Sequence, residues 1–219
     1  MAISTRKDDY RVEREVAAFI DKNLYDDTNL FSSYRRTDSY NEQIKGSDVV
    51  LTTTDGLVTE GITDEKVAIS RANLDLNTFS LELSFLNKAN NEQDGWLIDE
   101  TKETTHYMFG WIIKAVIPYN QARHRYEYHK IDRDNIKRLQ WALVPRKAIM
   151  DYLLERGWTV DKLRSEANEI RERGYVQSGT NIRFFYSSDN PFMKEKPINI
   201  LLTKETYLNL SVKNGIINI

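Results

Sequence analysis

Two β-branched, apolar runs that carry charged residues constrain the fold of this chain more than any other feature. The first run opens at Asp48, and the second contains Asp64, Glu65 and Lys66. Both runs predict strands. Because successive side chains of a strand point to opposite faces, Asp64 and Lys66 should leave one face of the sheet and Glu65 the other. The pattern therefore predicts a sheet that presents acids and a lysine together.

This set of side chains is suited to the hydrolysis of phosphate esters. Such a site needs hard oxygen ligands that leave Mg²⁺ most of its waters, and a cation near the attacking water or the scissile phosphate. Asp48, Asp64 and Lys66 provide those groups. As a bare pattern, Gly-x-Asp followed by Asp-x-Lys is weak, because 29% of the residues are charged. The predicted order of helix, loop and three acid-bearing strands strengthens it.

These residues resemble the PD-(D/E)xK nuclease superfamily, which includes many restriction, repair and junction-resolving endonucleases. The resemblance spans roughly residues 9–115. It implies an α/β (mixed α+β) fold with a restriction endonuclease-like core, in which helices flank a central mixed sheet. It also implies that Asp48 and Asp64 bind the metal and that Lys66 lies beside the nucleophile. Ser47 stands where the superfamily's name has proline, a position that varies among members.

Two further positions match those of some nucleases in this superfamily, which have a glutamine before the first aspartate and a glutamate on the following strand. Gln43 and Glu82 occupy these places, so the resemblance implies a catalytic role for both and metal binding for Glu82. Residues 78–85 alternate, with Phe79 and Leu81 on one face and Glu82 on the other. A carboxylate there can reach a metal directly or through water. The alternative is an ordinary solvated strand face.

A further acid lies on the first predicted helix, over about residues 6–24. Glu13 falls within the apolar stripe, between Ile20 and Leu24, whereas Glu15 lies toward its edge. A buried carboxylate needs a partner, such as a metal or a basic group. In the superfamily a helix-borne glutamate often completes the site, and Glu13 matches that role better than Glu15. The alternative is an acid turned to solvent.

The resemblance implies a metal-dependent endonuclease that hydrolyses DNA phosphodiester bonds with Mg²⁺ or Mn²⁺ as cofactor. Lys66 would orient the water or stabilise charge on the phosphorus, and Gln43 would orient the nucleophile or a phosphate oxygen. Two alternatives stay open. One is a catalytically inactive nuclease fold that serves as a nucleic-acid-binding or assembly module. The other is a non-enzymatic interaction protein of unrelated fold.

A basic segment at residues 123–138 is the predicted DNA-binding region. It contains six Lys and Arg residues against three acids, with Tyr and His interleaved. Guanidinium groups can bind phosphates and aromatic rings can stack on bases. DNA contacts are accordingly predicted for Arg123, Arg125, Tyr126, Lys130 and Arg133. The alternative is a solvated loop with surface ion pairs, and the overall net charge of −2 speaks against nonspecific coating of nucleic acid.

Composition excludes several other classes of protein. The absence of cysteine excludes disulfides, thiol catalysis and cysteine-based metal centres. The three histidines are too scattered for a helical zinc pair, and the sequence has neither a Gly-x-Ser-x-Gly elbow nor a phosphate-binding glycine-rich loop. No run of about 18 apolar residues and no signal segment occurs, so we expect a cytoplasmic protein without a membrane partner. A homo-oligomer interface is not identifiable.

The chain of 219 residues is long enough for one sizeable core. Residues 104–115 predict a fourth strand, residues 146–156 and 160–173 predict helices, and residues 182–186 and 198–202 predict short strands. The sequence pattern changes near residue 118. We place a nuclease-like core at about 6–117 and an elaborated C-terminal α+β part at about 118–219. We interpret the two parts as a single domain.

Overall fold

The computed structural model describes residues 5–37, 39–177, 179–187 and 194–219. Within these ranges the fold is mixed α+β. The helices are α1 (Thr5–Ile20), α2 (Tyr40–Ile44), α3 (Arg146–Leu154), α4 (Val160–Arg173) and α5 (Lys204–Leu210). The strands are β1 (Phe31–Arg36), β2 (Val49–Thr53), β3 (Gly61–Val67), β4 (Thr78–Leu86), β5 (Glu92–Asp94), β6 (His106–Ala115), β7 (Tyr119–Asn120), β8 (Arg125–Tyr126), β9 (Ile136–Pro145), β10 (Arg183–Tyr186), β11 (Ile198–Thr203) and β12 (Lys213–Asn218).

The first sheet is mixed and has six strands in the order β1-β2-β3-β6-β9-β12. Strands β3 and β6 are parallel, whereas the other neighbours are antiparallel. The two strands predicted to carry the acids, β2 and β3, are adjacent, and β3 is one of the two central strands. The segment from β4 to β5 connects the parallel pair, as a parallel connection requires a crossover.

The second sheet is antiparallel and has four strands in the order β10-β11-β4-β5. Strand β4 carries Glu82 and was expected to follow β3 in the central sheet, but it pairs with β11 and β5. Alternation of apolar residues predicts a strand correctly and does not determine which neighbour it joins. Strands β9 and β12 join the first sheet and β10 and β11 the second, so strands after residue 118 pair with strands before it.

Separate hydrophobic cores cover the two faces of the first sheet. Helix α1 buries its predicted apolar stripe on one face, where Val12, Val16 and Phe19 are at most 2% exposed. The second sheet and helices α3–α5 cover the other face around an aromatic cluster that includes Phe109 and Tyr207, whose ring centroids are 4.3 Å apart. Each fully buried side chain of this size contributes about 1.5–3 kcal/mol. The sheet is thereby held between two layers.

Helix ends follow the expected chemistry. Thr159 caps α4 by accepting a hydrogen bond from the backbone N–H of Lys162, and Gly174 ends that helix with φ of 78°. Helix α3 ends two residues before the predicted 156, and Gly157 follows with φ of 79°. Gln43, expected in a loop, lies in the short helix α2. Among the residues that the structure describes, none of the helices has the length and apolar character to cross a membrane.

Candidate active site

Antiparallel pairing of β2 with β3 places Asp48 and Asp64 on the same face of the first sheet. Val50 pairs with Ile62, and the backbone N–H of Asp48 donates to the carbonyl of Thr63 at 2.9 Å. Asp48 lies two residues before Val50 and Asp64 two residues after Ile62. The two aspartates are therefore opposite each other, on one face of the sheet. The Asp48 carboxylate accepts a hydrogen bond from the backbone N–H of Glu65 at 2.8 Å, which holds it against β3.

Lys66 leaves β3 on the same face as Asp64. The ammonium Nζ lies 2.8 Å from Asp64 Oδ2, and the side chains of Lys66 and Asp64 are 28% and 8% exposed. Nζ also lies 5.1 Å from the ring centroid of Trp96. An ammonium over an aromatic face is attracted by the ring, so Trp96 adds to the localisation of the positive charge.

The electrostatics of this face are dominated by acids gathered around Lys66. Desolvation raises the pKa of Asp64 to about 7, and Asp48 adds to that rise while Lys66 opposes it. Burial by itself lowers the pKa of Lys66, but the attraction of nearby acids outweighs it and the pKa is raised. Those acids are Asp64, Asp48 and Glu82. Lys66 therefore stays charged at neutral pH while Asp64 holds its negative charge weakly.

Glu65 points to the opposite face, as the strand alternation predicts. It forms an ion pair with Arg36, and it accepts a hydrogen bond from the Tyr25 hydroxyl at 2.7 Å. Arg36 also pairs with Asp21 at 2.6 Å. Burial raises the pKa of Glu65, and Arg36 opposes that rise. This carboxylate is thus satisfied by protein groups alone.

A cleft of about 720 Å³ brings most of the predicted catalytic residues together. Glu13, Gln43, Asp48, Asp64 and Lys66 all line it. Glu13 is an exposed residue by surface area but sits in a crowded concave region, and desolvation followed by repulsion from acids raises its pKa. Of the two alternatives left open for Glu13, the structure has the exposed acid, and this acid lines the cleft.

Glu82 approaches the same pocket from the second sheet. Desolvation raises its pKa, and attraction by Lys66 opposes the rise. It is half-buried and is not among the residues that line the cleft of 720 Å³. Its interaction with Lys66 places its charge near the acids on β2 and β3 although it belongs to a different sheet.

The donor set of the cleft fits Mg²⁺ in chemical type. Within the described ranges, no group of three or more His, Cys, Asp or Glu residues is arranged closely enough to hold a metal ion. Mg²⁺, however, usually keeps several waters and is held by one or two carboxylates. Asp48 and Asp64 interact closely enough for Asp48 to raise the pKa of Asp64, and such repulsion is relieved by a cation.

The predicted DNA-binding residues lie outside this cleft. Arg123, Arg125 and Lys130 are exposed, whereas Tyr126 is half-buried. Tyr126 packs edge-on against Tyr119 in the hairpin formed by β7 and β8, with ring centroids 5.0 Å apart. The structure therefore presents these cations on a surface loop, where both contact with DNA and ordinary solvation are sterically open.

Arg133 is the member of that segment with a defined ion pair. Its Nε lies 2.9 Å from Glu15 Oε2 on α1, and its side chain is 54% exposed. Arg11, also on α1, donates to the carbonyl of Ile131 at 3.1 Å. The predicted edge position of Glu15 is thus explained by contact between α1 and the basic segment.

Sequence reasoning missed three residues that shape the cleft, Arg36, Trp96 and Lys102. Arg36 ends β1, a strand with no apolar alternation strong enough to predict it. Trp96 and Lys102 lie in the connection between β5 and β6. A sequence signal for Arg36 existed in principle, because a buried acid such as Glu65 requires a cationic partner. No comparable signal singled out Trp96 or Lys102.

No family model, characterised protein or solved structure matches this chain at a significant level. The function must accordingly be argued from the site itself.

Proposed function

We propose that this protein is a metal-dependent nuclease of the PD-(D/E)xK type that hydrolyses phosphodiester bonds of DNA. The observation that carries the proposal is the convergence of Asp48, Asp64 and Lys66 on one face of two adjacent strands, inside a cleft. Acids crowded beside a lysine are costly for stability, and such arrangements cluster at functional sites. The mixed sheet, with helix α1 on one face, is compatible with a restriction endonuclease-like core.

Asp48 and Asp64 would hold Mg²⁺ or Mn²⁺, and Glu82 or Glu13 would assist directly or through water. When bound, the metal supplies an activated water and a Lewis acid for the phosphoryl oxygen. Each of the remaining roles belongs to a side chain of this protein. The Asp48 carboxylate is fixed through Oδ2 by the backbone N–H of Glu65.

Lys66 would act on the reacting phosphate. Its charge is secured by the surrounding acids, which raise its pKa, and its position is fixed by Asp64 and Trp96. A fixed positive charge aimed at developing negative charge lowers the barrier without reorganisation. Gln43 lines the same cleft and can donate to the water or to a phosphate oxygen. The reaction would be attack of water on phosphorus with departure of the sugar oxygen.

A specific observation favours a second candidate. Lys66 already forms an ion pair with Asp64 at 2.8 Å, so one of the two proposed metal ligands has a cationic partner within the protein. A nuclease fold that has lost catalysis and binds nucleic acid or assembles with a partner would have this property. The two candidates differ in whether divalent metal binds at Asp48 and Asp64.

Metal binding and cleavage together test the proposal. Purified wild-type protein is incubated with supercoiled, linear and branched DNA in Mg²⁺ or Mn²⁺, and Mn²⁺ binding is measured by calorimetry. Asp48→Asn should lose most of the Mn²⁺ affinity and all metal-dependent cleavage while remaining folded. Asp55→Asn, a substitution in the exposed turn after β2, serves as the matched control. Equal Mn²⁺ binding by wild type and Asp48→Asn would reject the proposed ligands, and DNA binding without cleavage would favour the inactive fold.

A further inference from the structure

A second cleft of about 830 Å³ adjoins the first. The two clefts share Glu13, Val67, Ile69 and Phe79, so they are continuous across the end of β3. The second cleft is walled by α1 on one side and by strands β4, β10 and β11 on the other. A polymer lying in it would reach the candidate active site at one end.

One face of the second sheet forms the floor of this cleft. Phe184 and Ile200 point to the opposite face, where they are at most 5% exposed within the core. Arg183 and Phe185 flank Phe184 along β10 and therefore lie on the open face. Asn199 and Leu201 occupy the paired positions on β11, and Ser80 lies opposite Leu201 on β4. The face thus combines polar groups with Leu201 and one protruding aromatic ring.

Glu82 belongs to this same open face, two residues beyond Ser80 on β4. The two clefts share Phe79 of β4, the residue before Ser80, so the sheet that carries Phe185 reaches the candidate active site. Phe185 is 49% exposed. A half-exposed aromatic side chain leaves apolar surface in contact with water. A planar ligand that stacks on the ring covers this surface.

Two guanidinium groups in the second cleft have no hydrogen-bond or ion-pair partner within the described part of the chain. They belong to Arg71, after β3, and Arg183, on β10, and both residues are exposed. Other arginines of the described residues, including Arg36, Arg133 and Arg164, are paired with acids. Unpaired guanidinium groups in a concave site are suited to phosphate.

Acids on the opposite wall restrict where an anionic chain can lie. Asp9 and Glu13 on α1 line the second cleft, and Asp9 contributes to the raised pKa of Glu13. Phosphates would be repelled from this wall and attracted to Arg71 and Arg183. The charge distribution therefore directs a nucleic-acid backbone along the sheet and away from the helix.

We propose that the open face of β4, β11 and β10 binds an unpaired DNA strand, with Phe185 stacked on a base and Arg71 and Arg183 on phosphates, and delivers it to the first cleft. The inference rests on the proposed nuclease function and names its substrate class as DNA with a single-stranded portion. Stacking requires a base whose face is free, and in a duplex the faces are occupied by neighbouring bases. A protruding ring beside free arginines on a sheet thus favours an unpaired strand over a duplex.

Binding to fluorescent oligonucleotides tests this inference without cleavage. Anisotropy is measured in EDTA with a 12-nucleotide oligo-dT, with a duplex of mixed sequence and with oligo-U. Oligo-dT should bind more tightly than either of the others. Phe185→Ala should weaken oligo-dT binding about 5- to 150-fold, the effect of losing one base–aromatic stack. Tyr175→Ala removes another exposed aromatic ring, which lies outside both clefts, and should leave binding unchanged.

The arginines are tested through salt dependence. The double substitution of Arg71 and Arg183 by Ala should reduce the slope of log K against log salt by about 1.4, because each single-strand phosphate contact contributes about 0.7. The double substitution of Lys88 and Lys147 by Ala removes two exposed cations outside both clefts and should keep the wild-type slope. Circular dichroism confirms that each variant is folded.

Several outcomes overturn the inference independently of the proposed function. Wild-type affinity of Phe185→Ala for oligo-dT would exclude this face as the binding surface, even if cleavage dependent on Asp48 persists. Tighter binding of duplex or of oligo-U would exclude an unpaired DNA strand as the preferred ligand. Conversely, weak binding by Phe185→Ala together with no cleavage by the wild-type protein would uphold the binding face and reject the nuclease.

Discussion

Two adjacent carboxylates on β3 are equally buried yet have opposite surroundings. The side chains of Asp64 and Glu65 are both 8% exposed. Glu65 faces α1, where Arg36 and the hydroxyl of Tyr25 bind its oxygens. Asp64 faces the second sheet, where its cationic partner Lys66 is shared with Asp48 and Glu82. One face has its acid neutralised by the protein, and the other has more acids than cations.

The difference shows how a structural acid can be distinguished from a functional candidate when both are buried. Desolvation raises the pKa of each, but a second carboxylate, Asp48, also contributes to the rise for Asp64, which reaches about 7. A site with excess negative charge is completed by something outside the chain, such as a cation or a proton. The Glu65 side has no such need, since its hydrogen bonds come from Arg36 and Tyr25.

The largest expected effect concerns Glu65, the acid that the protein itself neutralises. Arg36→Ala leaves Glu65 buried without its cation, and we expect a loss of about 3–5 kcal/mol in the free energy of unfolding. Arg35→Ala is the matched control, because Arg35 is the neighbouring strand residue and its pair with Glu42 is exposed, at 63% and 38%. Urea denaturation measures both. A loss below 1 kcal/mol for Arg36→Ala would show that Glu65 is not held as described.

The next effect concerns chemistry on the other face. Lys66→Ala should slow DNA cleavage a few hundredfold, equivalent to about 3–4 kcal/mol, because a well-placed charge acts mainly in the transition state. DNA affinity should change far less. Lys45→Ala, which removes a lysine paired with Glu103 at the surface, should cut at the wild-type rate. Single-turnover rates and binding constants are measured on one oligonucleotide. A wild-type rate for Lys66→Ala would show that the activity resides at another site.

The pH dependence of stability provides a third measurement. The pKa of Asp64 is raised from 3.8 unfolded to about 7 folded, so the native state binds the proton more tightly. Its contribution to stability is therefore full at low pH and is lost as pH rises through the folded pKa. Between pH 5 and pH 7 the loss from this group is about 2 kcal/mol, measured by urea denaturation in EDTA. Asp64→Asn should remove that part of the slope, and an unchanged slope would contradict the assignment.

Much of the element order was predictable because the signal lay in local periodicity. Strands β3, β4 and β6 and helix α4 follow from apolar alternation, helical stripes and terminal glycines. The alternation at residues 64–66 also predicted correctly which side chains would share a face. These features depend on a few neighbouring residues and not on the rest of the fold.

The elements and pairings that the sequence did not predict depend on tertiary context. Strands β1 and β12 are edge strands with weak alternation, and β9 begins within the basic segment, whose charges obscured it. The assignment of β4 to a second sheet cannot be read from its own sequence, because pairing is a choice among distant partners. Glu82 consequently approaches Lys66 across sheets and not along one.

The smallest expected effect concerns an exposed ion pair whose geometry resembles that of the buried pair. Arg133 and Glu15 pair at 2.9 Å, a separation similar to the 2.8 Å between Lys66 and Asp64, but the Arg133 side chain is 54% exposed. Exposed pairs are screened by water and constrain flexible side chains, so Arg133→Ala should change the unfolding free energy by less than about 1 kcal/mol.

Arg133 also tests whether the basic segment contacts DNA, which is a separate question from stability. If it binds a duplex phosphate, Arg133→Ala should reduce the salt slope of duplex binding by about 0.9. Glu15→Gln is the matched control, because it removes the partner and keeps the cation available. An unchanged slope in Arg133→Ala would assign Arg133 to the surface ion pair alone. A stability loss as large as that of Arg36→Ala would instead show that distance, not burial, determines the energy of these pairs.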